Sequence, residues 1–120
     1  MRYMMFIKHP GDYNFKEVPE ALINAMGPYV ESEMKKGRFI DGAGLKPLSH
    51  ATRVRLSKGK IKVTDGPFSE AKEVVGGYSL IEAKSHAEAV EIATEFMELH
   101  RIHWPGFEGE SEVRPLEDMG

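Results

Sequence analysis

The residues of this chain best suited to chemistry gather just past its middle, in residues 64–77, TDGPFSEAKEVVGG. Asp65 is the candidate catalytic residue. A carboxylate beside a turn can act as a general base or anchor a ligand, provided burial or a neighbouring charge tunes its pKa. Glu70, Lys72 and Glu73 add an acid–base–acid trio, and Phe68 adds an aromatic surface. Upstream, Arg53 and Arg55 lie two apart on a strand-like run and therefore share a face. Two guanidiniums side by side can hold a carboxylate or a phosphate. Arg53, Arg55, Phe68, Glu70, Lys72 and Glu73 are thus the candidate ligand-binding residues. The structural reading of the same stretch is a turn, since Asp bonds nearby backbone N–H groups and Pro fixes φ. Charged trios are commonly solvated, and an exposed pair contributes about 0–1 kcal/mol. The turn reading takes the larger share.

Other chemistries are poorly supported. His100 and His103 have the i, i+3 spacing of metal ligands on a helix, but no third ligand is evident in the sequence, so no metal is expected. The run Gly42-Ala43-Gly44-Leu45-Lys46-Pro47 lacks the third glycine of a dinucleotide fingerprint and has Pro47 in its place. No cofactor is expected. The net charge of −3 argues against a nucleic-acid partner, and Trp104 with Phe107 suits packing or capping a pocket better than stacking a base. The chain has no cysteine, which excludes thiol chemistry and fits a cytoplasmic protein. Its opening MRYMMFIKHP is too short for a signal sequence or a membrane span, so no membrane association is expected.

The elements that must position these residues follow from periodicity. A chain of 120 residues, 41% hydrophobic and 29% charged, makes one domain, 1–120, with a core of its own. Residues 2–8 read as a nearly apolar strand, stopped at His9-Pro10-Gly11-Asp12. Residues 16–36 carry Val18, Leu22, Ile23, Met26, Tyr29, Val30 and Met34 at helical spacing. Gly37 suits the stop, and Pro28 predicts a kink or two short helices. Strands follow at 38–45, 52–56, 60–64 and 77–83, with Lys58-Gly59 as a peripheral hairpin turn. Ser85 caps a second helix, with Glu88 placed for a capping box. Residues 100–109 read as a loop and 112–116 as the last strand. Without the hairpin the order is β-α-β-β-α-β, the ferredoxin-like α+β pattern. Its helices cover one sheet face, and the bare face predicts a homodimer.

Residues 63–73, VTDGPFSEAKE, with Gly76-Gly77-Tyr78 resemble the signature of the DGPF proteins of the YCII-related superfamily. The opening Arg2-Tyr3-Met4, the Gly-Ala-Gly-Leu-Lys-Pro run, Ala51-Thr52-Arg53-Val54-Arg55 and Glu112-Val113-Arg114-Pro115 match as well. The resemblance implies a dimeric α+β barrel, two ferredoxin-like units with their sheets face to face. A His–Asp pair proposed as catalytic elsewhere in the superfamily is not carried over, because the first helix opens with Phe15-Lys16-Glu17-Val18 and offers no His, and no Asp stands near His100, His103 and Trp104 after the second. Two functions are implied. One is binding or transforming a small molecule in a cleft beside the central stretch. The other is a non-enzymatic regulatory module associated with an extracytoplasmic-function sigma factor.

Overall fold

The computed structural model describes residues 1–11 and 17–117. Asp12, Phe15 and Lys16, named above at the first strand's stop and the first helix's start, lie outside them, as does the end of the tail. The elements are β1 (Arg2–Pro10), α1 (Glu20–Lys35), β2 (Phe39–Gly44), β3 (Thr52–Ser57), β4 (Lys60–Asp65), β5 (Glu73–Glu82), α2 (His86–His103) and β6 (Glu110–Pro115). A four-stranded sheet has the order β2-β5-β1-β6, and β3 with β4 forms a separate two-stranded sheet. All pairings are antiparallel. This is a ferredoxin-like α+β fold with an inserted hairpin.

β1 lies between β5 and β6, which explains its apolar sequence. Its odd residues Tyr3, Met5 and His9 are buried beneath the helices. Tyr3, Ile81 and Ala83 of the sheet region pack with Ala89 and Ile92 of α2, and Val113 of β6 joins them. Met4 and Phe6 alternate to the other face, where they oppose Leu80 and Tyr78. These four are half-buried.

Three boundaries differ from expectation by more than about two residues, the margin within which element ends are ordinarily placed. α1 begins at Glu20 and runs through Pro28 as one helix, so of the two alternatives, a kink or two short helices, the division is not found. Of its expected apolar face, Leu22 is buried but Met34 is 56% exposed. β5 starts at Glu73, before its first glycine. α2 continues to His103, so the expected loop at 100–109 is helical in its first turn. Propensity gave no stop there, and Gly106 (φ 85°) makes the turn instead. Other signals correspond directly. Gly37 adopts φ 75° after α1, and Lys58 and Gly59 adopt φ 52° and 78° in the hairpin turn. Ser85 Oγ accepts from the Glu88 N–H at 3.1 Å. The Glu88 carboxylate accepts from the Lys84 N–H rather than that of Ser85, a shifted version of the capping box.

The end of α1 is tied to β2 by a buried ion pair. Glu33 is 4% exposed and receives Arg38 Nε at 2.5 Å and Nη2 at 2.6 Å. The carboxylate in turn holds the guanidinium above its ordinary pKa. Breaking a buried pair from one side leaves an uncompensated charge. Glu33→Gln is therefore expected to destabilise the fold by about 3 kcal/mol, measured by urea unfolding. Lys35→Gln, on an exposed pair with Glu31, is expected to change the midpoint very little.

Candidate functional site

The sequence-selected residues fall largely at a corner where the hairpin rejoins the body. Thr52 Oγ1 donates to Asp65 Oδ1 at 3.0 Å, closing the base of β3 and β4. Asp65 is exposed. The Gly66 N–H donates to the Ala51 carbonyl at 2.7 Å. A Cβ on Gly66 would stand 2.0 Å from the Leu48 carbonyl oxygen, so the close backbone approach admits glycine alone. The Gly66–Pro67 peptide is cis. Phe68 is 7% exposed and lies under the Arg53 guanidinium, whose Cζ is 3.7 Å from the ring centroid. Arg53 also pairs with Glu70. Glu70's own backbone N–H and then Arg53 hold its carboxyl below the usual range. The corner thus joins Arg53, Phe68 and Glu70, with Asp65 next to it.

The other candidates lie elsewhere. Arg55 stands on the hairpin opposite Lys62. Lys72 is exposed. Glu73 opens β5 and bonds Lys8 at 3.2 Å, and Lys8 also bonds Glu112 across the main sheet.

A cleft of about 520 Å³ opens between α1, the end of α2 and the β2 side of the sheet. None of the seven candidate residues lines it. The last part of the same stretch does, through Val74, Val75, Gly76 and Gly77. The cleft's walls are chiefly apolar, from Leu22, Met26 and Val30 on α1 to Phe96 and Trp104 on the α2 side.

Two buried histidines lie among these walls, His9 and His100, each 6% exposed. His9 comes from the end of β1. Its ring lies so close to β5 that a Cβ on Gly76 would be 2.8 Å from Cδ2 and Nε2. His100 Nδ1 is 2.9 Å from the Phe96 carbonyl oxygen. A carbonyl only accepts, so Nδ1 carries the proton, and Nε2 of the neutral ring is an acceptor. Burial pushes the His100 pKa below 6.5, and the bond to Phe96 opposes this only in part. The ring packs against Phe96 and Phe107, with centroids at 5.1 and 5.0 Å. Trp104 packs on Phe107 with ring centroids 4.9 Å apart and the planes tilted by 36°. The local cause is the end of α2. The Trp104 N–H still bonds the His100 carbonyl, and the following turn returns Phe107 over the imidazole.

With this geometry in place, the chain can be set beside known proteins. The YCII-related domain family matches residues 1–97. An uncharacterised protein of Rhizobium meliloti (strain 1021) is 33% identical over 101 residues, covering 84% of this chain and 77% of the relative. The chain belongs to the YCII-related family.

In the sequence, His9 merely ends a strand, and His100 has only the i, i+3 spacing to His103 with no third ligand, so neither is marked as a cleft residue. Gly76 was the available signal: a glycine inside a strand marks a bulge or a close approach. Among the described residues, no three His, Asp or Glu side chains gather as a metal would require.

Two predictions follow from the corner and the cleft. Phe68→Ala is expected to cost about 3 kcal/mol in urea unfolding, while Asp65→Asn costs about 1 kcal/mol or less. The reverse order would mean that Asp65 holds the corner. His100, followed by NMR, is expected to titrate with a midpoint below 6.5. Its folded pKa is depressed, so it leaves stability unchanged well above pH 6.5 and lowers it as pH falls from there towards the folded pKa.

Proposed function

We propose that the protein binds a small, largely apolar molecule in the cleft between α1, α2 and the sheet. The observation that carries this reading is a cleft of about 520 Å³ with apolar walls into which two buried histidines are built. A volume of that order suits a small-molecule ligand, and a few polar groups among apolar walls set orientation. His100 Nε2 supplies an acceptor for a ligand hydroxyl or N–H, and the same atom can take up a proton if the ligand is transformed. The corner at Asp65, Arg53, Phe68 and Glu70 then serves to hold the start of β5, whose next residues form the cleft wall. The protein acts as a homodimer in this reading, because Met4, Phe6, Tyr78 and Leu80 form an apolar sheet face that is only half-buried.

Trp104 is the chain's single tryptophan and lines the cleft, so its fluorescence reports occupancy directly. Titration with 8-anilinonaphthalene-1-sulfonate at pH 7.5 is expected to quench or shift Trp104 emission saturably. Gly44→Leu is expected to weaken that response about tenfold or more. Gly44 lines the cleft, and a Cβ there meets nothing within 4 Å, so the larger side chain enters open space. Equal probe binding by Gly44→Leu and the natural chain would place the probe elsewhere and count against the cleft. Lack of any saturable response would favour the non-enzymatic interaction reading.

A further inference from the structure

The run Gly42-Ala43-Gly44-Leu45-Lys46-Pro47 carries the chain out of β2, and all six residues line the cleft. Its backbone is held on both sides of Lys46. The Leu45 N–H donates to the Gly76 carbonyl at 2.9 Å, which ties the run to β5. The His50 N–H donates to the Pro47 carbonyl at 2.9 Å and closes a short turn over Leu48–His50. Pro47 also biases the residue before it towards extended backbone. Lys46 is exposed and lines the cleft, so it stands at the mouth. Its surroundings offer one sign of charge. Among the described residues no Asp, Glu or Arg lines the cleft, and Lys46 is its one lysine. Nor does Lys46 join an ion pair with any described residue, whereas Lys8 is held between Glu73 and Glu112.

We propose that Lys46 selects the cleft's ligand, and that this ligand is an organic anion, an apolar body ending in a carboxylate. The proposal rests on the cleft reading and names the ligand class. The apolar body lies among Leu22, Met26, Phe96 and Trp104, and the acid group stays at the mouth against the Lys46 ammonium. The physical reason is desolvation. A carboxylate carried deep among apolar walls loses its hydration with nothing to replace it. At the mouth it keeps water and gains a cation, because a lysine stem lies along apolar surface while its ammonium stays wet. An organic cation finds no carboxylate among the described lining residues. The pair is partly solvated, so it discriminates by a modest factor and weakens with salt. The anion at Lys46 is separate from the donor group that His100 Nε2 would accept from.

The test uses two probes on the full chain that share one fluorophore, 8-anilinonaphthalene-1-sulfonate and the uncharged N-phenyl-1-naphthylamine. Lys46→Met keeps an apolar stem and removes the charge. It is expected to weaken the sulfonate probe about fivefold at low salt and to leave the neutral probe within about twofold. Lys46→Arg should restore the sulfonate probe, and about 0.5 M salt should shrink the difference. Lys62→Met, which removes a cation from the exposed hairpin, should change neither probe. With the neutral probe as reporter, the advantage of 1-naphthoate over 1-naphthamide as a competitor is expected to fall about fivefold in Lys46→Met. Both probes weakened by Gly44→Leu but untouched by Lys46→Met would overturn the role of Lys46 and leave the cleft reading standing. Equal losses of both probes in Lys46→Met, or an equal loss of the sulfonate probe in Lys62→Met, would overturn it as well. No saturable response, or one that Gly44→Leu leaves unchanged for both probes, would overturn the cleft reading and this proposal with it.

Discussion

The close approach of β1 to β5 at Gly76 is the constraint on which the cleft depends. Between Ile7 and Lys8 the register shifts, because Ile7 pairs with Gly77 and Lys8 with Val75. Gly76 is the extra residue. An inserted residue reverses the alternation of everything beyond it. Ile81, Ser79 and Gly77 therefore face the helices, yet so does Val74, while Val75 is 38% exposed. The same residue leaves room for the His9 ring, where no side chain could stand. One irregularity thus sets both a wall of the cleft and a histidine within it.

The corner that dominates the sequence has a structural task. Gly66 is fixed by the Leu48 carbonyl, Phe68 is held beneath Arg53, and Glu70 neutralises that arginine. Asp65 closes the hairpin through Thr52. These contacts anchor the exposed hairpin on one side and deliver the chain into β5 on the other. Charged residues here organise backbone, and the apolar residues that follow them make the cleft. No described helix is long and apolar enough to cross a membrane.

The two faces of the sheet divide the chain's remaining apolar surface. α1 and α2 share one face, with Tyr29 and Phe96 in ring contact between them and Glu33 with Arg38 joining α1 to β2. α1 reaches over the sheet without filling the space beside β2, where Gly42 and Gly44 line the gap. Gly42 itself admits no Cβ, which would meet the Tyr78 carbonyl oxygen at 2.6 Å. Small residues on an edge strand under a helix leave volume, and that volume is the cleft.

The order of elements, the α+β pattern, the hairpin turn at Lys58-Gly59 and the Ser85 cap were legible in the sequence by itself. Each is decided by neighbours within a few residues, through periodicity, turn geometry or a capping side chain. The family resemblance was legible for the same reason, as a run of residues in fixed spacing. Whether Pro28 divides α1 or leaves it one helix was not, because tertiary packing can outweigh a local break. The cleft was not legible either. His9 and His100 are 91 positions apart in number and come together with Val74 and Trp104 only because β1 lies beside β5 under the end of α2. Local patterns specify what each segment becomes. Which segments share a cavity is settled by strand order and register, through pairings between residues distant in the chain.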